Sequence, residues 1–299
     1  MIQHITIFHA GSLSRPLQQI AKAFEAKNSG VTVIMEGSGA RVVARKVIEQ
    51  QHSCDIVASA DYTIIDDFLK PEYARFNIRI ARNRLVLSFT EKSQYADQIN
   101  EDNWFEILLK TGVKYGHTDP ELDPGGYRAR LCWQLAEKYY HQSGLNERLI
   151  ANLLPANILT DRTLIRSRIA GGELDYFFGY ESTARQNGYR FINLPDAINF
   201  SSDKYAAYYQ QAELQLAGKR PGTSMRVTGQ PIIYGITLVE TAPNREQAIQ
   251  FLEFLLDKGM PFFENSGFIP IAPPIIPIED RLYLPTQLIR FFEAADQGL

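Results

Sequence analysis

The chain has 299 residues, 45% of them hydrophobic and 22% charged, with a formal net charge of −3. This is the composition of a globular protein of one large or two ordinary domains. The near-neutral balance gives no electrostatic footprint for nucleic acid or an anionic membrane, and no apolar run is long enough to span a bilayer. Cys54 and Cys132 make neither a metal-ligand spacing nor a disulfide framework, so both read as buried thiols.

In chain order, Ile5, Ile7 and Phe8 mark a strand at 4–9. Phe8-His9-Ala10-Gly11-Ser12-Leu13 then leads into a helix near 14–27. There Leu13, Leu17, Ile20, Ala21 and Phe24 recur at helical spacing, with Pro16 in the first turn. A strand at 31–35, a helix at 41–50, a strand at 55–58 and a short helix at 62–69 follow. This alternation predicts a parallel sheet with helices on both faces. Such sheets bind ligands beyond the carboxyl ends of their strands, so Gly11-Ser12, Gly37-Ser38-Gly39 and Ser59-Ala60-Asp61 are expected to gather on one edge. A glycine and a serine between strand and helix offer N–H groups, a hydroxyl and the positive end of a helix dipole to an anion. The same residues also cap helices where no ligand binds.

Residues 78–90 read as extended, with Leu85 to Phe89 the best strand. A second set follows: a helix near 104–109, a strand at 113–116, a loop at 117–126, a helix near 127–141 and a strand around 176–178. A strong strand at 231–239 and a helix at 244–257 end the series, the latter with Ala248, Phe251, Leu252 and Leu255 on one face. A chain that leaves one α/β unit near 88 and returns near 233 has two lobes. Lobe 1 is expected over 1–87 and 236–299 and lobe 2 over 88–235, with a ligand in the cleft and closure by rotation about the two crossing strands.

The most distinctive candidate site is the run from Thr118 to Arg128, which places Asp123, Gly125 and Gly126 before a helix. The glycines would let a ligand approach the backbone, and the N–H groups of Gly126 and Tyr127 are expected to be free. A cation site from His117, Asp119, Glu121 and Asp123 is the competing reading, but the glycine and bidentate glutamate of a calcium loop are missing. Arg41, Arg45 and Arg128 stand near the expected cleft, although arginines in first helical turns commonly point outward. Enzymatic groupings are poor, because Ser12 lacks a nucleophile-elbow pattern and no serine, histidine and acid fall in a recognisable order. His9 reads as a packed core histidine, and Tyr176 to Tyr180 as core strand.

Taken together these pieces resemble the molybdate/tungstate-binding proteins of ABC importers, especially the archaeal-type branch. The resemblance runs through Phe8 to Leu13, Asp55-Ile56-Val57-Ala58-Ser59-Ala60-Asp61-Tyr62, Ala81-Arg82-Asn83, Tyr95 to Asn100, and Asn103-Trp104. It continues through Asp123-Pro124 with Gly126-Tyr127-Arg128, Gly172 to Tyr176, Pro231 to Gly235 and Ala242 to Glu246. It implies a mixed α/β, two-lobe periplasmic-binding-protein fold of type II. The implied ligand is a small oxyanion, molybdate or tungstate, bound without a cofactor.

Carried over by motif, Ser12 donates its hydroxyl and N–H beside Gly11, and Tyr127 donates its N–H beside Gly126. Ser38, beside Gly39, follows the bacterial branch; aligning on Arg45-Lys46 instead puts the archaeal-type serine at Ala40. Asp123 maps onto one of two carboxylates that coordinate the metal atom of the oxyanion. The other falls at Ala170, with Glu173 out of register, and this departure admits sulfate or chromate as ligand. The resemblance further implies a monomer that serves an importer permease, periplasmic or membrane-anchored outside the cell. The sequence shows no export signal, so a removed leader is one expectation and a cytoplasmic oxyanion sensor is the alternative. A two-lobed transferase is the rival from the enzyme class, and no nucleophile–base pair supports it.

Overall fold

Fully buried Ile5 and Ile7 set the inward face of strand β1 (Gln3–Ala10), which lies inside a six-stranded sheet. The computed structural model describes residues 3–49, 53–161 and 163–293. A short 3-10 turn, Gly11–Leu13, feeds α1 (Ser14–Glu25), whose Leu17, Ile20, Ala21 and Phe24 are buried as their spacing predicts. Then come β2 (Val31–Ser38), α2 (Ala40–Glu49), β3 (Ile56–Ser59) and α3 (Tyr62–Ile64). The last widens into a π turn over Ile65–Leu69, closed by the Lys70 N–H on the Ile65 carbonyl at 3.0 Å. β4 (Ile78–Arg82) ends this part of the chain.

The chain divides into two units, Met1–Arg82 with Ile233–Leu299, and Asn83–Ile232. The second unit contains β5 (Leu85–Phe89), α4 (Trp104–Leu108), β6 (Tyr115–Thr118), α5 (Pro124–Tyr139), α6 (Leu145–Asn152), β7 (Ile158–Leu159) and α7 (Thr163–Ala170). β8 (Tyr176–Tyr180), α8 (Glu181–Asn187), β9 (Arg190–Asn193) and α9 (Ala206–Tyr209) follow, then a separate hairpin of β10 (Glu213–Ala217) and β11 (Ser224–Thr228). The return to the first unit supplies β12 (Ile233–Leu238), α10 (Arg245–Lys258), α11 (Met260–Asn265), β13 (Ile269–Ile275) and α12 (Thr286–Glu293). No helix of the described residues is long and apolar enough to cross a membrane.

In the first unit the strand order is β13-β4-β12-β3-β1-β2. β1 is parallel to β2 and β3, as the early strand–helix rhythm predicts, while β12 is antiparallel to both β3 and β4. The change of sense has a simple cause. Arg82 and Ile233 flank the second unit and are paired partners, so the strand that returns must run against the one that left. The unit boundaries fall at 82/83 and 232/233, outside β5 and β12, whereas 87/88 and 235/236 lie within those strands.

The second unit has the order β7-β6-β8-β5-β9, with β6 parallel to β7 and β8, and β5 antiparallel to β8 and β9. Its core is aromatic: Trp104 and Trp133 each meet Phe178 edge-on, at 5.7 and 5.6 Å between ring centroids. The run Tyr176 to Tyr180 is core strand, as expected. Strand β6 lies two residues later than the sequence pattern placed it, and α5 begins at Pro124 rather than 127. Proline at the first helical position needs no N–H partner and has its φ preset, which extends the helix back to Asp123.

Candidate functional site

The register of the first unit gathers the three predicted turns. Ala10 pairs with Ser38, and His9 pairs with both Gly37 and Ala58. Gly11-Ser12, Ser38-Gly39 and Ser59-Ala60-Asp61 therefore stand side by side at the carboxyl edge of β1, β2 and β3. Ser12 is buried and its hydroxyl lies 3.1 Å from that of Tyr234 on β12. Ser38 is half-buried at the end of β2, and Gly39 is buried, its carbonyl accepting the Val43 N–H. Ser59 and Asp61 are committed to the turn itself. The Ser59 hydroxyl donates to the Asp61 carbonyl at 2.6 Å, and the Asp61 carboxylate caps α3 by accepting from Thr63 N–H and its hydroxyl.

His9 is a packed core histidine, as expected. Its Nδ1 lies 2.9 Å from the Ala10 carbonyl, and burial pushes its pKa down, which keeps the ring neutral. Gly37 exists for this ring, because a Cβ at 37 would sit 2.7 Å from His9 Cε1. Both cysteines are buried, and burial raises the Cys54 thiol to about 12, well away from reactive thiolate chemistry.

In the second unit Asp123 is buried at the start of α5. Its Oδ1 accepts the Gly125 N–H at 2.7 Å and the Thr118 hydroxyl at 3.2 Å. The Gly126 N–H, expected to be free, donates to the Asp123 carbonyl at 3.0 Å. The two glycines serve close packing within the protein rather than ligand approach. A Cβ at 126 would lie 2.0 Å from the Thr118 carbonyl oxygen, and one at 125 would lie 2.9 Å from Asp123 Oδ1. Tyr127, also buried, is the fourth residue of the helix.

The competing cation reading finds these side chains otherwise engaged. His117 Nδ1 meets the Thr118 carbonyl at 2.7 Å, Asp119 accepts the Glu121 N–H, and Glu121 accepts the Ala217 N–H. Among the described residues no group of three His, Cys, Asp or Glu is arranged to hold a metal ion.

The arginines depart from the expectation of outward-pointing side chains. Arg41 and Arg128 are each only 1% exposed, which makes them large buried cations near helix starts. The Arg41 guanidinium sits 5.2 Å from the Phe68 ring, and Arg128 Nη1 donates to the Tyr180 hydroxyl at 2.6 Å. Arg45 is the exception, part-exposed and paired with Glu49 one helical turn on.

The residues to which motif alignment leads for the second carboxylate lie at the amino edge of the second unit's sheet. β8 is parallel to β6, with Tyr115 opposite Tyr176. The segment before β8 therefore lies at the amino edge of the sheet, where Asp175 accepts the Lys114 N–H at 2.8 Å. Ala170 ends α7 next to this segment, and exposed Glu173 pairs there with Arg168. Both are at the opposite edge from Asp123. Glu181, directly after β8, is a buried carboxylate on Asp123's edge, and it is bracketed by Arg84 at 2.5 Å and Arg185 at 2.6 Å.

Tyr234, Tyr180 and Thr118 are the polar partners that motif reading missed. Tyr180 was visible only as an aromatic in an apolar run, and Tyr234 lies 222 positions from the serine that it meets.

A family model described as bacterial extracellular solute-binding protein matches residues 5–269. An uncharacterized solute-binding protein of Petrotoga mobilis is 44% identical over 271 residues, covering 90% of this chain and 84% of its own. The molybdate/tungstate-binding protein WtpA of Thermococcus kodakarensis is 38% identical over 298 residues, covering 91% and 83%. Among solved structures, the periplasmic molybdate-binding protein of Azotobacter vinelandii has a TM-score of 0.64 at 16% identity, covering 89% of this chain and 98% of its own. The sulfate-binding protein SubI of Mycobacterium tuberculosis has a TM-score of 0.61 at 13% identity, covering 99% of each. This chain, with its mixed sheets and flanking helices, shares the α/β fold of these periplasmic-binding proteins. The chain belongs to the bacterial extracellular solute-binding protein family.

Proposed function

We propose that the protein captures molybdate or tungstate outside the cytoplasm and delivers it, as a monomer, to the permease of an ABC importer. No chemical step is involved. In the first unit Ser12 and Ser38 donate to the oxyanion, with the backbone at Gly11 and Gly39. In the second unit the Tyr127 N–H near the start of α5 contributes, with Gly126 packed beside it, and Asp123 approaches the metal atom of the anion. Neutral, fixed donors at strand edges replace the hydration shell and select by size and number of oxygens.

The observation that carries this reading is the alignment of Ala10, Ser38 and Ser59 on one edge, with Ser12 directly beyond it. It occurs in a chain 38% identical to a molybdate/tungstate-binding protein over nine-tenths of its length. A second reading, sulfate or chromate as ligand, is supported by motif alignment alone, which puts the second carboxylate at Ala170, a residue that bears none. Asp123 separates sulfate from the metal-centred oxyanions, since an ionised carboxylate beside sulfate is repulsive while a metal-centred oxyanion tolerates it.

The deciding experiment is a calorimetric and thermal-shift screen against molybdate, tungstate, sulfate, chromate and phosphate. A ligand at one hundred times its Kd stabilises the fold by about 2.7 kcal/mol, a shift readily seen in the melting temperature. Selective stabilisation by molybdate and tungstate is expected. No response to any oxyanion would end the proposal.

A further inference from the structure

We infer that Tyr234 is a positioning residue for the Ser12 hydroxyl and aims its hydrogen at the bound anion. The inference rests on the reading of Ser12 as an oxyanion donor. The two hydroxyl oxygens are 3.1 Å apart, and both side chains are buried. A serine hydroxyl has one hydrogen and two lone pairs. Left alone, it rotates to suit whatever is near, and holding its hydrogen on an anion costs that freedom.

The partner settles the direction. A phenol is far more acidic than an alkanol, so the stronger hydrogen bond runs from Tyr234 O–H to Ser12 Oγ. With that lone pair filled, the serine hydrogen turns away from Tyr234. Each hydrogen bond in such a chain polarises the next, which makes Ser12 a better donor than an isolated serine.

Tyr234 is itself held rigidly. Its ring packs edge-on against Phe268 with centroids 5.1 Å apart, and Phe268 packs in turn against Phe263. Its backbone is paired with Ala81 of β4 inside the six-stranded sheet. The phenol oxygen is therefore held in place beside the Ser12 hydroxyl.

The test is a double-mutant cycle by calorimetry with molybdate on wild type, Tyr234→Phe, Ser12→Ala and the double variant. Tyr234→Phe keeps the ring and is expected to fold as wild type does while weakening binding about tenfold. In the double variant the Tyr234 effect disappears, leaving the affinity of Ser12→Ala alone. Site-specific 3-fluorotyrosine at 234, a more acidic donor, moves affinity the opposite way and tightens binding. Independent, multiplying effects in the cycle would overturn the role, as would a fluorotyrosine that leaves affinity unchanged. Failure of the underlying reading looks different: wild type then binds no oxyanion, or Ser12→Ala binds as wild type does, and both ideas fall together.

Discussion

Asp123 Oδ1 accepts the backbone N–H of Gly125 at 2.7 Å, so the carboxylate nearest the start of α5 is its N-cap. This contact gives Asp123 a structural duty independent of any ligand. Replacing such a cap with alanine costs about 1 kcal/mol of stability, whatever happens to binding.

Asp123→Asn separates the two roles. The amide oxygen still accepts from Gly125, so the melting temperature stays close to that of wild type. The lost charge weakens molybdate and tungstate while leaving sulfate binding equal or tighter. Calorimetry with the three anions checks this, and a uniform loss across all three would show that Asp123 does not meet the metal atom.

Ser12→Ala and Ser38→Ala each weaken oxyanion binding by about 1–3 kcal/mol, the loss of a buried donor to a charged acceptor. The two sit on adjacent strand ends of one edge, and a calorimetric titration of each variant measures the effect. Unchanged affinity in both would remove that edge from the site.

Gly126→Ala runs against helix propensity, which alone would favour alanine by about 1 kcal/mol. The added Cβ meets the Thr118 carbonyl oxygen at 2.0 Å, and a backbone atom gives way poorly. We expect net destabilisation of about 2 kcal/mol from overpacking, read as a lower urea midpoint. A gain in stability would show that the turn from Thr118 to Pro120 is softer than its packing implies.

His117 makes the fold acid-sensitive. Burial pushes its pKa from 6.5 down to about 4, with Arg130 adding to the fall, against a raising contribution from the Thr118 carbonyl. The folded state keeps the ring neutral, whereas the unfolded chain takes up a proton below about 6.5, so protons favour unfolding. Stability is complete above pH 6.5 and is lost as pH falls toward 4, by about 2 kcal/mol between pH 7 and pH 5 from this residue. His9, shifted in the same direction, adds to the loss. Urea unfolding of wild type and His117→Asn at both pH values checks the sign. The variant starts less stable but should lose less on acidification, and equal losses would refute the assignment.

Legibility followed sequence distance. The turn at Gly11-Ser12 could be read because strand, turn and helix are contiguous, and parallel pairing of β1, β2 and β3 needs only short crossovers. The apolar spacing after Tyr127 marks α5, and the cap at Asp123 with Pro124 at the first helical position starts it three residues earlier than that spacing alone indicates. The edge that Ala170 reaches carries no such local signal. Motif matching fixes which residues correspond but not which edge of a sheet they reach, and the parallel register of β6 and β8 put that loop at the far end. The burial of Arg41 and Arg128 was equally invisible, because helical spacing places them near the apolar stripe without saying what covers it.

By itself, then, the sequence determined the alternation of elements, the excursion into a second unit and return, and the serines and glycines placed at strand ends. Those features are written in local periodicity, turn chemistry and chain order. Only the tertiary structure decided what each polar group meets: Tyr234 against Ser12, the Asp123 carboxylate turned to its own helix, and Glu181 between Arg84 and Arg185. Such partners are set by strand register and side-chain packing across long separations, and neither leaves a periodic trace in the chain.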